Sequence, residues 1–224
     1  MAQQLAFDLP ARTALGREDF FVSPANAAAL GALDAPGRWP QGRMLLLGPA
    51  GAGKTHLTAL WAGERGAKVI GARDLRRDAV PGLVAAGTVV VEDAETLAGL
   101  PEAEAALFHL HNLAAAEGAL LLLTAACQPR DWGLALPDLA SRMAAMARAE
   151  IAPPDDALMA AVLVKLFADR QITVSPALIT WLIARIDRSL AEARRVVAAL
   201  DAAALAGGGR VSRALAQRVL DTRP

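Results

Sequence analysis

The sequence predicts an α/β fold with a parallel sheet flanked by helices, followed by a small all-α subdomain. Short apolar runs of strand type alternate with helical stretches up to residue 152, and only helical periodicity follows from residue 153. A glycine-rich loop also joins the first predicted strand to a helix, as is common in βαβ units. We therefore divide the chain into an arm at 1–16, an α/β domain at 17–152 and a helical subdomain at 153–224.

The composition is that of a globular protein with a sizeable core and no net charge. Of 224 residues 54% are hydrophobic, and 23 Lys and Arg balance 23 Asp and Glu. The overall field therefore gives no reason to expect non-specific binding to nucleic acid or to a membrane. A single cysteine, Cys127, excludes an internal disulfide. We find no signal-type segment and no apolar run of membrane length, so we expect a cytoplasmic protein.

The first 16 residues show no clear period, and Pro10 and Gly16 interrupt them. The segment 4–9 is nevertheless apolar, which leaves two interpretations open: a linear motif that docks in a partner's groove, or an arm packed on the protein's own surface. Further on, Ser23 and Pro24 predict the N-cap and first position of a helix that runs through Ala27 to Leu33.

The segment 48–55 fits the phosphate-binding P-loop pattern at every fixed position. It follows a strand at 44–47 and continues into a helix from His56, which is the order that this motif requires. The glycines let backbone N–H groups converge on phosphate oxygens, and the helix N-terminus adds a positive dipole. Lys54 is placed to reach the terminal phosphates, and the Thr55 hydroxyl to bind Mg²⁺.

A strand at 68–70 follows, and after it a strand at 88–91 that ends in two carboxylates, Glu92 and Asp93. Because parallel strands deliver their carboxyl ends to one sheet edge, these carboxylates are expected beside the P-loop. This is a Walker B pattern. We predict that Glu92 holds Mg²⁺ and that Asp93 positions the attacking water.

The rest of the α/β domain contains a helix at 101–117, a strand at 118–124 that ends in Thr124, a short helix at 137–143 and a last strand at 149–151. His109 and His111 are two residues apart, so a helix points them to different sides and they do not form a metal pair. Arg142 on the short helix is either a solvated charge or an arginine finger. In the helical subdomain, caps are predicted at Ser175, Ser189 and Ser212.

These motifs together resemble the AAA+ ATPases, and more narrowly the nucleotide-binding domain of the bacterial replication initiator DnaA. The resemblance covers residues 17–222 and is carried by the P-loop, the Walker B pattern and four further stretches. The stretches at 19–26, 136–142 and 153–155 look like DnaA motifs, and Arg194 matches the sensor II arginine of the lid helix.

The chain further resembles the Hda-type regulators, which are short DnaA-related proteins that inactivate DnaA. DnaA-type initiators carry an extra N-terminal domain and a helix-turn-helix domain, and this sequence contains neither. The resemblance implies that the N-terminal motif docks on the DNA polymerase sliding clamp, with contacts from Gln4, Leu5, Phe7 and Leu9. It also implies that Arg142 acts in trans as an arginine finger on ATP held by DnaA.

By the same resemblance, the cofactor is ADP or ATP with Mg²⁺, and no sequence-specific DNA contact is expected. Thr55 and Glu92 are the predicted metal ligands. The predicted nucleotide contacts are Phe20, Phe21 and Val22 at the base, Arg194 on the lid, and Gly48, Gly51, Ala52, Gly53, Lys54, Thr55 and His56 in the P-loop.

Two departures from the family pattern bear on catalysis. Walker B reads Glu92-Asp93 where most AAA+ proteins have Asp-Glu and DnaA has Asp-Asp, and Ala126 stands where DnaA has an acidic sensor I. We therefore expect weak or absent intrinsic hydrolysis. Two alternatives stay open: a stand-alone P-loop ATPase or kinase, and a DnaA-like recruiter that binds DNA through Arg210, Arg213, Arg218 and Arg223. Self-association is also left open.

Overall fold

The computed structural model describes residues 21–207 and 209–222, and within them the predicted α/β fold with a parallel sheet flanked by helices is confirmed. The sheet has five strands in the order β2-β3-β4-β1-β5, and every neighbouring pair is parallel. The P-loop strand β1 therefore lies inside the sheet, between β4 and β5. The strands are β1 Arg43–Leu47, β2 Lys68–Gly71, β3 Thr88–Glu92, β4 Leu120–Ala125 and β5 Arg148–Glu150.

Helices connect the strands and then form the C-terminal part of the chain. Because β1, β3 and β4 are buried on both faces, they consist of almost continuous apolar residues, as central parallel strands do. The helices are α1 Ala27–Asp34, α2 Lys54–Arg65, α3 Val80–Val84, α4 Pro101–Glu117, α5 Pro137–Ala145, α6 Asp156–Ala168, α7 Pro176–Ile183, α8 Leu190–Ala206 and α9 Arg213–Asp221.

Each face of the sheet has its own apolar core. Alternate strand residues such as Leu46 pack with α1 and α2, where the indole rings of Trp39 and Trp61 stack with centroids 5.3 Å apart. The intervening residues, including Leu45, pack with α3, α4 and α5. Because helices pack against both faces of the sheet, the end of β1, where the P-loop begins, is held in place.

The helices α6 to α9 bury a third core of their own, around Phe167, Leu182 and Val196. The predicted caps are confirmed: the hydroxyls of Ser175, Ser189 and Ser212 each accept a hydrogen bond from the N–H three residues on. The proposed division at 16/17 and 152/153 stays a prediction, and the arm itself lies outside the described residues. None of the described helices is long and apolar enough to span a membrane.

The first helix begins later than the sequence predicts, so the predicted N-cap at Ser23 is wrong. Its N-cap residue is Asn26, and α1 starts at Ala27. The Asn26 side chain instead reaches back to accept a hydrogen bond from the N–H of Ser23 at 2.9 Å, which makes residues 23–26 a turn. Ala25 in this turn accepts a hydrogen bond from the N–H of Ala152, which ties the turn to the end of the sheet.

Candidate functional site

The P-loop leaves β1 and enters α2 through backbone conformations that favour glycine. Gly51 and Gly53 have φ angles of 76° and 104°, in the region that L side chains rarely adopt. At Gly48 a Cβ atom would lie 2.8 Å from the carbonyl oxygen of Ile151, the residue after β5. The loop therefore requires glycine at these three positions of the pattern. Ala52, within the loop, is buried.

Lys54, the first residue of α2, is held inside the loop. Its side chain is 7% exposed, and its Nζ donates hydrogen bonds to the carbonyl oxygens of Gly48 at 2.7 Å and Pro49 at 3.3 Å. The ammonium group is thus fixed beside the loop rather than free in solvent. Thr55, the next residue, is exposed at the start of the helix.

A cavity of about 300 Å³ lies in front of the loop and brings together most of the residues that the sequence predicts for phosphate and metal. Elements from the P-loop, the end of β3, the end of β4 and the helix α8 all contribute to it. Its lining residues are Ala50, Gly51, Gly53, Lys54, Thr55, His56, Asp93, Glu95, Ala126, Ala191 and Arg194.

The carboxylate of Glu92 is anchored to the P-loop helix. Its Oε1 accepts a hydrogen bond of 3.0 Å from the hydroxyl of Thr58, which is fully buried. The same hydroxyl lies 3.1 Å from the carbonyl oxygen of Thr55. The end of β3 is therefore joined to the second turn of α2, and Glu92 does not itself line the cavity that Thr55 lines.

Asp93 adopts a left-handed backbone conformation with a φ angle of 53°, which is uncommon for a residue other than glycine. Its N–H donates a hydrogen bond of 3.0 Å to the hydroxyl of Thr124, the buried polar residue near the end of β4. Asp93 is exposed and lines the cavity. The polar end of β4 thus supports the turn that presents Asp93.

Sequence reasoning missed Glu95, which supplies a further carboxylate to the cavity. Its Oε1 accepts a hydrogen bond of 2.8 Å from the N–H of Ala126, and its Oε2 is buried without a hydrogen-bond partner. The Glu95 carboxylate thus lies beside Ala126, the position at which this sequence lacks the acidic sensor I residue of DnaA. Burial raises the pKa of the neighbouring Cys127 thiol, and the charges of Glu95 and Asp131 raise it further.

The C-terminal helices contact the P-loop directly. The N–H of Leu190, the first residue of α8, donates a hydrogen bond of 2.8 Å to the carbonyl oxygen of Gly51. Arg194 lies one turn further along α8, is exposed, and lines the same cavity as Lys54. Two cationic side chains from different parts of the chain therefore face the same space.

The predicted base-binding residues are not brought to this cavity. Phe21 and Val22 are 44% and 51% exposed, and Phe20 lies outside the described residues. A second cavity of about 490 Å³ adjoins the loop at Gly48 and Pro49, but neither Phe21 nor Val22 lines it. Their role in base binding stays a prediction. The predicted clamp contacts Gln4, Leu5, Phe7 and Leu9 also lie outside the described residues.

Arg142 lies at the opposite end of the sheet from the P-loop. Its guanidinium carbon is 5.7 Å from the centroid of the Phe108 ring, and it lines a cavity together with Arg43, the first residue of β1. At about 3.3 Å per residue, Arg43 and Gly48 are roughly 16 Å apart along the strand. The structure therefore does not bring Arg142 together with the chain's own P-loop.

A buried carboxylate fixes the start of α5, the helix that carries Arg142. Glu104 in α4 is 1% exposed, and its oxygens accept hydrogen bonds from the N–H groups of Gly99, Ala135 and Leu136 at 3.0, 3.2 and 2.8 Å. Leu136 is the N-cap residue of α5. These bonds hold the loop before α5 against α4.

No protein-family model and no curated protein sequence matches this chain. Domain III of the Thermotoga maritima replication initiation protein DnaA is similar in structure, with a TM-score of 0.77 and 21% identity over 92% of this chain and 95% of that chain. A DnaA bound to AMPPCP and single-stranded DNA gives a TM-score of 0.66 and 20% identity, over 86% of this chain and 65% of that one. The chain thus spans slightly less than two thirds of that DnaA.

The likeness extends to other AAA+ structures. The AAA domain of FIGL-1 in complex with ADP gives a TM-score of 0.68 and 18% identity, over 89% of this chain and 80% of that chain. At such identities a structural likeness shows the fold alone. The chain has a DnaA-related AAA+ fold.

Proposed function

We propose that the chain binds ADP or ATP at the P-loop. Three features support this: the glycines at 48, 51 and 53, the fixed ammonium group of Lys54, and Arg194 facing the same cavity. The similar DnaA and FIGL-1 structures contain AMPPCP and ADP. Phe20, Phe21 and Val22 are proposed to contact the base.

The side chains at the loop also fit a Mg²⁺ ion that accompanies the nucleotide. The described residues contain no group of three or more His, Cys, Asp or Glu that could hold a metal alone, so phosphate oxygens and water would complete the coordination. Thr55 and Glu92 would supply the protein contacts, and Glu95 lines the same cavity as Thr55. Bound Mg²⁺ neutralises phosphate charge.

We further propose that the chain regulates replication initiation by stimulating ATP hydrolysis on a DnaA-type initiator. The observation that carries this proposal is the position of Arg142, exposed and at the far end of β1 from its own P-loop. A guanidinium at this end of the sheet is too far from the chain's own P-loop to contact a nucleotide bound there. It is exposed and can contact a nucleotide that another subunit holds. The DnaA-related fold makes an initiator the favoured partner.

Arg142 would act through its positive charge. A guanidinium beside the γ-phosphate stabilises the charge that develops as that phosphoryl group is transferred to water. Docking of Gln4, Leu5, Phe7 and Leu9 on the sliding clamp would concentrate the chain near initiators bound to DNA. The chain's own nucleotide would then stabilise its active shape.

The experiment mixes the purified chain, DNA-loaded clamp and ATP-charged initiator, and follows ADP on the initiator. We expect Arg142→Ala to reduce the stimulation about a thousandfold, as removal of an arginine finger does in related phosphoryl transfer. The matched control is Arg130→Ala, whose side chain is 83% exposed and which lies outside the cavities described above. Full stimulation by a folded Arg142→Ala chain would overturn the trans role.

Docking on the clamp is tested separately. A chain that lacks residues 1–10 is expected to lose binding to immobilised clamp while it keeps its nucleotide affinity. Substitution of Gln4 and Leu5 together by alanine should have the same effect. Undiminished clamp binding by both variants would reject the N-terminal motif as the docking element.

A second candidate function, ATP hydrolysis by the chain itself, is favoured by one observation. The carboxylate of Glu95 accepts a hydrogen bond from the N–H of Ala126, where the sequence alone shows no acid, and Glu95 lines the cavity in front of the P-loop. This candidate predicts ADP production by the isolated chain that Glu95→Gln abolishes. No comparable observation favours DNA binding: Arg213 lies over the ring of Trp181 at 5.4 Å, and Arg223 is outside the described residues.

A further inference from the structure

The cavity lined by Arg43 and Arg142 has a volume of about 580 Å³ and lies at the end of the sheet opposite the P-loop. Its floor is formed by two buried side chains, Arg43 at the start of β1 and His111 in α4, which are 5% and 3% exposed. Its rim is formed by the exposed residues Asp138, Ser141 and Arg142 of α5. The volume is within the range of about 300–1,000 Å³ that is typical of ligand sites.

Arg43 is buried without a counter-charge. Its Nη1 donates hydrogen bonds to Oε1 of Gln41 at 2.9 Å and to Nε2 of His111 at 3.0 Å, both neutral partners. Among the residues described, no carboxylate forms an ion pair with it. Burial and the nearby Arg142 lower the pKa of Arg43. A buried charge of this kind is unfavourable unless a partner compensates it.

The cavity floor also carries two hydrogen-bond donors without acceptors. Because Nε2 of His111 accepts from Arg43, the proton of the neutral ring is on Nδ1. Nδ1 is buried and has no acceptor at hydrogen-bond geometry, although the side chain of Asn112 lies close enough to raise the pKa of the ring. The Nε–H of Arg43 is likewise buried and unpaired. Such orphan donors are rare in folded proteins and indicate a missing acceptor.

The charge around the cavity identifies the kind of acceptor. Two guanidinium groups, from Arg43 and Arg142, face it together with a single exposed carboxylate, Asp138. A water molecule would satisfy a donor but would leave this excess of positive charge. A planar guanidinium fork matches the oxygens of a phosphate group, and a tetrahedral oxyanion offers acceptors to several donors at once.

We infer that this cavity binds a phosphate-type oxyanion, held by Arg43, His111 and Arg142. The source is either free phosphate or the terminal phosphate of a nucleotide held by a partner. Only the second source rests on the proposed trans action of Arg142. Arg43 and His111 then form the floor against which Arg142 presents its guanidinium, so two arginines rather than one contact the anion.

Histidine signals in the NMR spectrum test the binding directly. His111 lines this cavity and His56 lines the P-loop cavity, so the imidazole ¹H–¹⁵N signals of the intact chain report on the two sites separately. We expect inorganic phosphate to shift the His111 Nδ1–H signal in a saturable manner, beyond the effect of sodium chloride at equal ionic strength. A shift that chloride reproduces would mean a hydrated cavity and would overturn the inference.

Variants separate the roles of the two arginines. Arg142→Gln, on the surface, is expected to weaken phosphate binding about tenfold, as loss of a charge-assisted hydrogen bond does. Arg43→Lys keeps a buried positive charge, and we expect this chain to fold, but lysine lacks the planar guanidinium group. The substitution should therefore weaken phosphate binding to a similar extent. Arg130→Gln is the control and should leave binding unchanged. Unaltered phosphate binding in the Arg43→Lys chain would contradict the proposed floor of the site.

A second arm distinguishes the two sources. With a DnaA-type initiator added, the His111 signal should shift when the initiator holds AMPPCP and not when it holds ADP. If free phosphate shifts the signal but neither initiator does, the site takes free phosphate. If Arg142→Ala abolishes stimulation of the initiator while neither phosphate nor initiator affects His111, the proposed function stands and this inference fails.

Discussion

The N–H of Leu190 donates a hydrogen bond of 2.8 Å to the carbonyl oxygen of Gly51, so the first residue of α8 rests on the P-loop. The contact is close enough that a Cβ atom at Gly51 would lie 1.9 Å from the Ser189 hydroxyl oxygen. The same helix carries Arg194 to the phosphate cavity. Through this contact, the C-terminal helices depend on the P-loop conformation.

Gly51→Ala is therefore expected to displace α8 and to weaken nucleotide binding about tenfold or more. A left-handed φ of 76° adds strain of about 1–2 kcal/mol for a residue with a Cβ atom. The measurement is titration with fluorescent ADP, with urea unfolding alongside. Gly63→Ala is the control, because this exposed glycine of α2 has no atom within 4 Å of a new Cβ.

The control variant should gain about 0.5–1 kcal/mol of stability, since alanine is a better helix former than glycine. Its nucleotide affinity should match that of the natural chain. If Gly51→Ala bound nucleotide as tightly as Gly63→Ala, the close contact between α8 and the loop would have no part in binding.

Glu104→Gln is expected to lower the free energy of unfolding by about 2 kcal/mol. The carboxylate accepts three backbone hydrogen bonds, and an amide group offers one oxygen and leaves at least one buried N–H without an acceptor. Chemical denaturation measures the loss. Glu102→Gln, exposed in the same turn of α4, should change stability by less than about 0.5 kcal/mol. Equal stabilities would contradict the anchoring of α5 by Glu104.

Glu95→Gln is expected to reduce the dependence of ATP affinity on Mg²⁺. Without the metal, the carboxylate repels the phosphates, and neutralising it should tighten binding several-fold; with Mg²⁺ present, the loss of a negative group should weaken binding. ATP titrations with Mg²⁺ and with EDTA give the ratio of affinities. Glu117→Gln, at the exposed end of α4, is the control. An unchanged ratio in Glu95→Gln would exclude Glu95 from the metal site.

His111 makes the stability of the chain depend on pH. Burial first, and then the charge of Arg43, lower the pKa of His111 from 6.5 to about 4, so the folded chain binds fewer protons than the unfolded chain. The neutral ring therefore contributes stability above pH 6.5, which is lost as the pH falls from 6.5 towards 4. The full loss is about 3–4 kcal/mol, at about 1.4 kcal/mol for each pH unit between these two values.

Urea unfolding of the natural chain and of His111→Gln at several pH values isolates this contribution. The carboxylates titrate in both chains, so the difference between the two curves belongs to His111. We expect the natural chain to lose stability more steeply than the variant between pH 6.5 and 4. If the unfolding free energies of the two chains ran parallel with pH, protonation of His111 in the folded chain would have no free-energy cost.

Local sequence patterns were enough to predict the sheet, the P-loop, and the caps at Ser175, Ser189 and Ser212. Each rests on residues within a few positions of one another, and tertiary packing agrees with the local preference. The cap at Ser23 failed because the Asn26 side chain accepts a hydrogen bond from the N–H of Ser23 and closes a turn over residues 23–26, so the helix starts only after Asn26.

The remaining features depend on contacts between distant parts of the chain. Glu95 meets Ala126 across 31 positions, and Arg43 meets His111 across 68. A charged residue two positions beyond Asp93 has no period or spacing that marks it as part of a site. The burial of Arg43 and His111 likewise follows only from the packing of α4 and α5 over the start of β1.

The most direct test of nucleotide binding at the P-loop is calorimetric titration of three chains with ADP and Mg²⁺. The natural chain should bind one nucleotide, and Lys54→Ala should weaken binding about tenfold to a hundredfold, because a charge-assisted hydrogen bond to phosphate is lost. Lys68→Ala, an exposed lysine on the edge strand β2, should bind within about twofold of the natural chain. Absence of binding by the natural chain, or equal affinity in Lys54→Ala, would contradict the account.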